Sequence, residues 1–337
     1  MEIRQLDPHD EPQARQWYEA LYEGAAAGRV APLVVSETAL LTSLRSNDTN
    51  PGYDRCGFGA WEGPRCLGTA MVDLPRADNT HFAEIDINVR PEDRGRGVGA
   101  ALYDAALAMA RAQGRTLVWN EVYVAPGLSL SDSPGGRFAL ARGFASKHTE
   151  ERLLLEVPLD EPTLAGLEQS AQAKADGYQV VGWHGIVPAR WLGALAEMQT
   201  LMTHDVPSGD SDREPITLAP ERVMASQTRM IEQGYGLLTT LALDSAGRPA
   251  AYTEMYVTAD RENVHQDDTF VLRAHRGHRL GTLVKAANLR LLAEHYPGAR
   301  YVHTWTAHVN DAMRAINERF GFRAVETMHE VEAVYPT

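Results

Sequence analysis

Two glycine-rich turns, 182 residues apart, narrow the fold more than any other feature, because each leaves an extended apolar segment and opens a helix. The first is Val89-Arg90-Pro91-Glu92-Asp93-Arg94-Gly95-Arg96-Gly97-Val98-Gly99-Ala100, and the second is Val271-Leu272-Arg273-Ala274-His275-Arg276-Gly277-His278-Arg279-Leu280-Gly281-Thr282. Glycine admits backbone angles closed to other residues, so successive N–H groups can point inward, and the positive end of the next helix adds attraction for an anion. Each turn reads as a cradle for a pyrophosphate. Each is followed by an amphipathic helix, an apolar strand, a further helix and a Gly-Phe pair, Gly143-Phe144 in the first half and Gly321-Phe322 in the second. The chain is an internal duplication.

The spacing separates these turns from other phosphate loops. A nucleotide triphosphate loop needs Gly, four residues, then Gly-Lys-Ser/Thr, and that Lys-Ser/Thr pair is missing. A dinucleotide fingerprint needs Gly-x-Gly-x-x-Gly, whereas the first turn has Gly95, Gly97 and Gly99. Arg94-Gly95-Arg96-Gly97-Val98-Gly99 instead resembles the Arg/Gln-x-x-Gly-x-Gly/Ala loop of the GNAT superfamily of acyl-CoA N-acyltransferases. The resemblance implies that Val89, Arg94 to Ala100, Val271 and Arg276 to Thr282 hold the pyrophosphate of acetyl-CoA. Asp73-Leu74-Pro75, Asp78-Asn79-Thr80-His81 and Lys285-Ala286-Ala287-Asn288-Leu289 look like tandem GNAT proteins of actinobacterial type, to which mycothiol synthase is similar in plan.

At 337 residues, two domains of ordinary size are expected. A net charge of −13 argues against nucleic acid or an anionic membrane surface as partner. Cys56 and Cys66 offer no zinc spacing and no disulfide framework, so two free thiols are expected, although a hairpin at Glu62-Gly63-Pro64 could bring them together. No apolar run has the length of a membrane span, and Met1-Glu2-Ile3-Arg4 begins a strand rather than a signal peptide, so a cytoplasmic location is expected.

Periodicity alone supports an α/β chain. The first half reads as a strand at 1–6, helices at 10–27 and 36–44, strands at 57–61, 66–74 and 81–89, a helix at 97–113, a strand at 116–124 and a short helix at 135–142. Residues 151–157 then close the first unit, 161–175 form a connecting helix, and the plan restarts at Tyr178 with a fourth strand expected at 268–272. The resemblance implies an α/β (α+β) fold of two GNAT-like domains, 1–158 and 178–337 joined through 159–177, each a mixed, mainly antiparallel sheet flanked by helices.

Amine acetylation needs position and proton handling more than covalent chemistry, because the thioester is already activated. Aligning the turns sets Asp86 opposite Asp268, and Glu254 lies on the neighbouring strand, so Glu254 or Asp268 is the expected base, directly or through water. The alternative is that they are solvated or paired strand-end residues. Glu84 and Asp86 share one strand face in the first half. Many GNAT enzymes keep a tyrosine four residues before the Gly-Phe glycine to protonate the CoA sulfur, but these positions hold Ala139 and Asn317, and Asn317 is the candidate donor. Asn310 stands where the superfamily often keeps an asparagine that contacts CoA.

The second turn has Arg279 where glycine is usual, which is tolerable if its angles are right-handed. The expected division is a first half that binds CoA and a second half that catalyses. His265, His275, His278, His303 and His308 match no metal motif, and no metal is expected. Trp183, Trp191 and Trp305 read as core or pocket wall, and the acidic stretch 205–214 as a solvated loop rather than a cover over a cationic acceptor. The expected activity is acetyl-CoA-dependent acetylation of an amine on a small molecule or peptide natural product. The alternatives are a peptide or protein N-terminal acetyltransferase and a non-catalytic CoA-binding regulatory protein.

Overall fold

Both glycine turns join a strand to a helix in the computed structural model, which describes residues 1–47, 50, 52–205, 211 and 214–335. These form two units, one of Met1–Glu150 with Glu326 onward and the described residues between 208 and 214, the other of residues 151–205 and Pro215–Val325.

In the first unit the chain runs β1 (Glu2–Gln5), α1 (Glu11–Ala26), α2 (Glu37–Arg45), β2 (Tyr53–Glu62), β3 (Arg65–Pro75), β4 (Phe82–Val89), α3 (Val98–Ala112), β5 (Leu117–Val124), α4 (Pro134–Leu140) and the start of β6 (Ala145–Glu156). Polar caps set the helix starts: Asp10 accepts from the Gln13 N–H and Ser36 from the Ala39 N–H, each taking up a donor that the first turn leaves unpaired. Strands β1 to β4 pair antiparallel in order, while β4 pairs parallel with β5 only from Phe82–Leu117 to Glu84–Trp119. Trp61 pairs with Cys66 and Cys56 with Val72, so the two cysteines do not face each other across the hairpin, and both are free thiols. The core on one side of the sheet is formed by Leu67, Val72, Ile85, Leu102, Tyr103 and Ala106, with Val331 and Ala333 from the chain's last strand.

The second unit takes the end of β6, then α5 (Glu161–Gln172), β7 (Gln179–His184), α6 (Ala189–Asp205), α7 (Pro220–Glu232), β8 (Gly236–Leu243), β9 (Pro249–Val257), β10 (Asn263–Val271), α8 (Leu280–His295), β11 (Tyr301–Ala307), α9 (Asp311–Phe320) and the start of β12 (Arg323–Val334). Its strands are ordered β6-β11-β10-β9-β8-β7. The parallel β10–β11 pairing again covers three residue pairs, Asn263–Tyr301 to His265–His303. Both Gly-Phe pairs now have a reason. Gly143 (φ +82°) and Gly321 (φ +90°) follow α4 and α9 in left-handed conformation, and the next residues, Phe144 and Phe322, turn into the cores.

The units differ from the expected 1–158, 159–177 and 178–337. Strand β12 pairs antiparallel with β5 from Thr327–Val124 to Val334–Leu117 and lies between β5 and β6, in the place that chain order would give to β6. Helix α5 packs into the second unit through Leu164 and Ala171, with Glu161 and Glu168 held by Arg290, rather than serving only as a connection. Strand β10 starts five residues before the expected 268, because its first half is polar.

Burying Met328 and Val331, 2% and 1% exposed, contributes about 1.5–3 kcal/mol each, a large share of the roughly 5–15 kcal/mol that holds a domain. Residues 1–158 made alone should therefore show no cooperative thermal unfolding, and linking residues 323–335 to them should restore it. Cooperative unfolding of 1–158 by itself would refute the role given to β12.

Candidate active site

The two cradles share one backbone path. A single 3-10 turn (Pro91–Asp93 or Arg273–His275) precedes Arg94 or Arg276, then Gly95 or Gly277 takes positive φ (+76° and +86°), and a left-handed residue opens the helix. That last residue is Gly97 at φ +83° in the first unit and Arg279 at φ +57°, ψ 24° in the second. The right-handed angles expected for Arg279 are not observed; it copies the glycine conformation, at a cost of about 1–2 kcal/mol for a residue with a Cβ. Neither α3 nor α8 has a side-chain cap, so their first N–H groups are left for an anion. A Cβ added at Gly95 or Gly97 would meet nothing within 4 Å, which leaves the concave side of the turn open.

The cationic side chains of the turns are occupied elsewhere. Arg94 donates from Nε to the Val89 carbonyl (3.1 Å) and from Nη2 to that of Gly24 (3.1 Å). Arg276 donates from Nε to the Val271 carbonyl (3.2 Å) and, beside Arg273, to the carboxylate of Asp205. Arg96 pairs with Asp93 and Glu62. His278 and Arg279 reach the carbonyls of Lys174 and Ser170, and Tyr178 donates to or accepts from His275 Nδ1 at 2.9 Å. The arginines thus fix the shape of the turn. Val98, Leu280, Gly281 and Thr282 are buried. Gly99, beside the half-buried Ala100, and Gly281 let the helices approach Phe138 and Ile316, 3.2 and 3.1 Å from an added Cβ.

Beyond His265, β10 leaves β11 and bulges. Gln266 pairs with Met255 and Thr269 with Thr253, so Asp267 and Asp268 together stand against Glu254. Three carboxylates are thereby brought together. Glu254 is 1% exposed and accepts from Gln199 Nε2 (2.6 Å), Thr239 Oγ1 (3.2 Å) and Gln227 Nε2 (3.5 Å). Burial, then repulsion by Asp267, pushes its pKa to about 7. Asp268 is half-buried and accepts from the Tyr252 hydroxyl (2.9 Å); burial and the charge of Asp267 push it to about 8. His265 Nε2 lies 4.0 Å from Asp267, with its ring 5.0 Å from Trp305 and 6.0 Å from Tyr256. Burial lowers the His265 pKa, against the opposing pull of the Asp267 charge.

The first unit keeps carboxylates at its own strand parting, but with built-in cations. Burial pushes Glu84 to about 8, followed by repulsion from Asp73 and Glu121. Asp86 is also raised by burial and is bonded by Asn88 (2.8 Å). Arg55 pairs with Asp73 and acts on Glu84, and Arg29 acts on Asp86. The β3–β4 register passes from Gly68–Val89 to Asp73–Glu84 with no bulge between them.

Asn317 is not at a surface. It is fully buried, with Oδ1 accepting from Lys285 Nζ (2.7 Å) and Nδ2 donating to Thr306 Oγ1 (3.0 Å). Burial brings that lysine down to about 7. Asn310 caps α9, accepting from the Met313 N–H at 3.2 Å, as Ser133 caps α4 in the first unit. Sequence reasoning missed Gln199, Gln227, Tyr252 and Gln266, whose positions in helices and strands carry no motif, and met Lys285 only within the Lys285–Leu289 stretch, with no role of its own. Of the stretch 205–214, residues 206–210, 212 and 213 lie outside the described residues. Among the described residues no group of three His, Cys, Asp or Glu is placed to hold a metal ion, and no helix is long and apolar enough to cross a membrane.

Comparison with known proteins bears on the family and the fold. Residues 9–126 match the model of the acetyltransferase (GNAT) family. A tandem GNAT protein from the clavulanic acid biosynthesis pathway is similar over 100% of this chain and 99% of its own, with 26% identity and a TM-score of 0.80. A GCN5-related N-acetyltransferase from Sphaerobacter thermophilus shares the fold over 99% of this chain and 96% of its own, with 16% identity and a TM-score of 0.63. No curated protein sequence matches the chain.

Gly97→Val should cost about 1–2 kcal/mol in thermal unfolding, since a side chain is disfavoured at that left-handed position. Arg279→Gly should be close to neutral, because relief of the same strain is offset by roughly 0.5–1 kcal/mol of glycine entropy. A Gly97→Val protein as stable as its parent would contradict the turn geometry.

Proposed function

Because the chain is a tandem-domain GNAT acetyltransferase, we propose that it moves acetyl from acetyl-CoA to an amine of a small molecule or peptide by direct transfer, with the second unit as catalyst. The observation that carries this reading is the bulge at Gln266–Thr269, present where β10 parts from β11. A bulge leaves a backbone N–H without its ladder partner and re-aims neighbouring side chains. An N–H freed in this way suits a developing oxyanion, and the same bulge carries Asp268.

Asp268 is the base of this proposal. Its environment holds the carboxyl near pKa 8, strong enough to take a proton from an ammonium and accessible where Glu254 is sealed. Glu254 acts at one remove, as a buried charge that raises the pKa of Asp268. The backbone of the second turn would hold the pyrophosphate, and acetyl-CoA when bound supplies the activated thioester. Asp268 takes one proton from the ammonium, the N–C bond forms as the C–S bond breaks, and the second proton leaves the nitrogen through water to the departing sulfur. A thiol pKa near 8.5 makes that last step easy without a tyrosine. The first unit, with an open cradle and Arg55 and Arg29 among its carboxylates, binds CoA in a supporting role.

The acid–base assignment fixes a pH profile. Asp268 must be ionised to act, so kcat/KM with a fixed amine should rise with pH up to about 8 and level above it. Asp268→Asn should lose roughly 100-fold or more, and Glu254→Gln should move the limb to lower pH by removing a repelling charge. Unchanged turnover in Asp268→Asn would sink the assignment.

A further inference from the structure

The second unit ends on a strand that carries none of the devices that keep a sheet edge from pairing. Among the described residues the only strand partner of β7 is β8. Edges are ordinarily blunted by shortness, charge, proline or a bulge. The corresponding edge of the first unit, β1, has four residues and carries Glu2 and Arg4. In β7 the six residues Gln179-Val180-Val181-Gly182-Trp183-His184 include no proline, lysine, arginine, aspartate or glutamate. All of them run in unbroken register with β8, from Gln179–Leu243 to His184–Leu238.

That register fixes which backbone groups face outward. The Gly185 N–H donates to the Leu237 carbonyl at 2.8 Å, so along the same antiparallel ladder Trp183, Val181 and Gln179 also turn N–H and C=O toward β8. Val180, Gly182 and His184 therefore turn theirs away from the sheet. Side chains divide between the two faces. Val181 and Trp183 lie half-buried against the core of Leu192, Leu195 and Val223, while an added Cβ at the exposed Gly182 would point toward Leu291.

We propose that this edge pairs with the same edge of a second copy of the chain, antiparallel about a two-fold axis at Gly182. In an antiparallel pair facing side chains share one face of the sheet, so a two-fold axis between identical strands sets one residue opposite itself. With Gly182 on the axis, Gly182 meets Gly182 and Val180 meets His184 as hydrogen-bonded pairs, which uses all the outward groups of β7. Each Val181 then faces Trp183 of the other copy, a β-branched side chain against an aromatic ring. An axis at Val181 would instead leave the outward groups of His184 beyond the ladder and set Gln179 against Trp183. Charge favours the same surface. Each chain carries −13, so two copies repel over most of their surface, and an edge without an acidic side chain is where they can meet.

The test begins with sedimentation of the full chain, which should give a particle of twice the chain mass at micromolar concentration. Gly182→Pro removes only an outward N–H, which an edge strand tolerates, and its Cβ would displace only the end of Leu291. It should weaken association at least tenfold with thermal unfolding still cooperative. Cysteine linking decides the matter if that variant does not fold. Residues 181 and 183 of facing strands form a non-hydrogen-bonded pair, with Cα atoms about 4.5 Å apart and within disulfide reach. Oxidised Val181→Cys/Trp183→Cys should therefore link into a covalent dimer, and Val181→Cys alone should not. A wild type that stays monomeric overturns the inference, whether the Val180, Gly182 and His184 amides exchange freely, as on an open edge, or are protected by another stretch of the chain or a bound peptide. Association undiminished in Gly182→Pro, or linking by Val181→Cys alone, overturns the pairing about Gly182.

Discussion

The short parallel pairing of the fourth strand with the fifth is the constraint on which each unit depends. Three residue pairs hold β4 to β5, and three hold β10 to β11. Past them the strands part, and each freed strand end is taken up locally, by a 3-10 turn, a left-handed residue and a helix whose first N–H groups have no side-chain cap. Had the strands stayed paired, those ladder groups would be satisfied within the sheet and the turn would have no cleft to face. The parting therefore frees backbone groups at the strand end and at the helix start in one event. The arginines of the motif serve this geometry by clamping the strand end, Arg94 on the Val89 carbonyl and Arg276 on that of Val271.

Duplication gave two such partings, and the units have used them differently. In the first, β3 and β4 keep an unbroken register, and acids near the opening are matched by Arg55 and Arg29. In the second, one extra residue in β10 sets two aspartates against Glu254. Buried acids held near neutrality cost folding energy at working pH, since each must be ionised against burial and against its neighbours. Both units carry such acids, Glu84 in the first and Glu254 and Asp268 in the second, and what sets the second apart is the bulge that places them at its strand parting.

What was legible in the sequence was local. The glycine turns, Ser36 as a cap and the Gly-Phe helix ends depend on residues a few positions apart, and each holds in the structure. The fold class was readable too, through the repeat of those signals. The place of the last strand was not, because β6 and β12 are both twelve-residue strands able to lie beside β5, and a strand's alternation says which face is buried but not which edge it joins. The bulge was hidden for a similar reason. Asn263 to Asp267 is too polar to read as a strand alone, and only the register against β9 shows that two residues oppose one.

Asn317 and Lys285 show where a motif position and a physical environment diverge. The column that often holds a tyrosine places Asn317 on a buried face of α9, where an ammonium and a hydroxyl take up its amide. A lysine is a donor only, so it fixes Oδ1 toward α8 and leaves Nδ2 to Thr306. That arrangement makes a polar tie between α8, α9 and β11, the three elements that surround the parting of β10 and β11. A tyrosine in the same place would reach past this tie into the cleft. With asparagine the amide stays within the wall, and in the proposed reaction the sulfur is protonated through water.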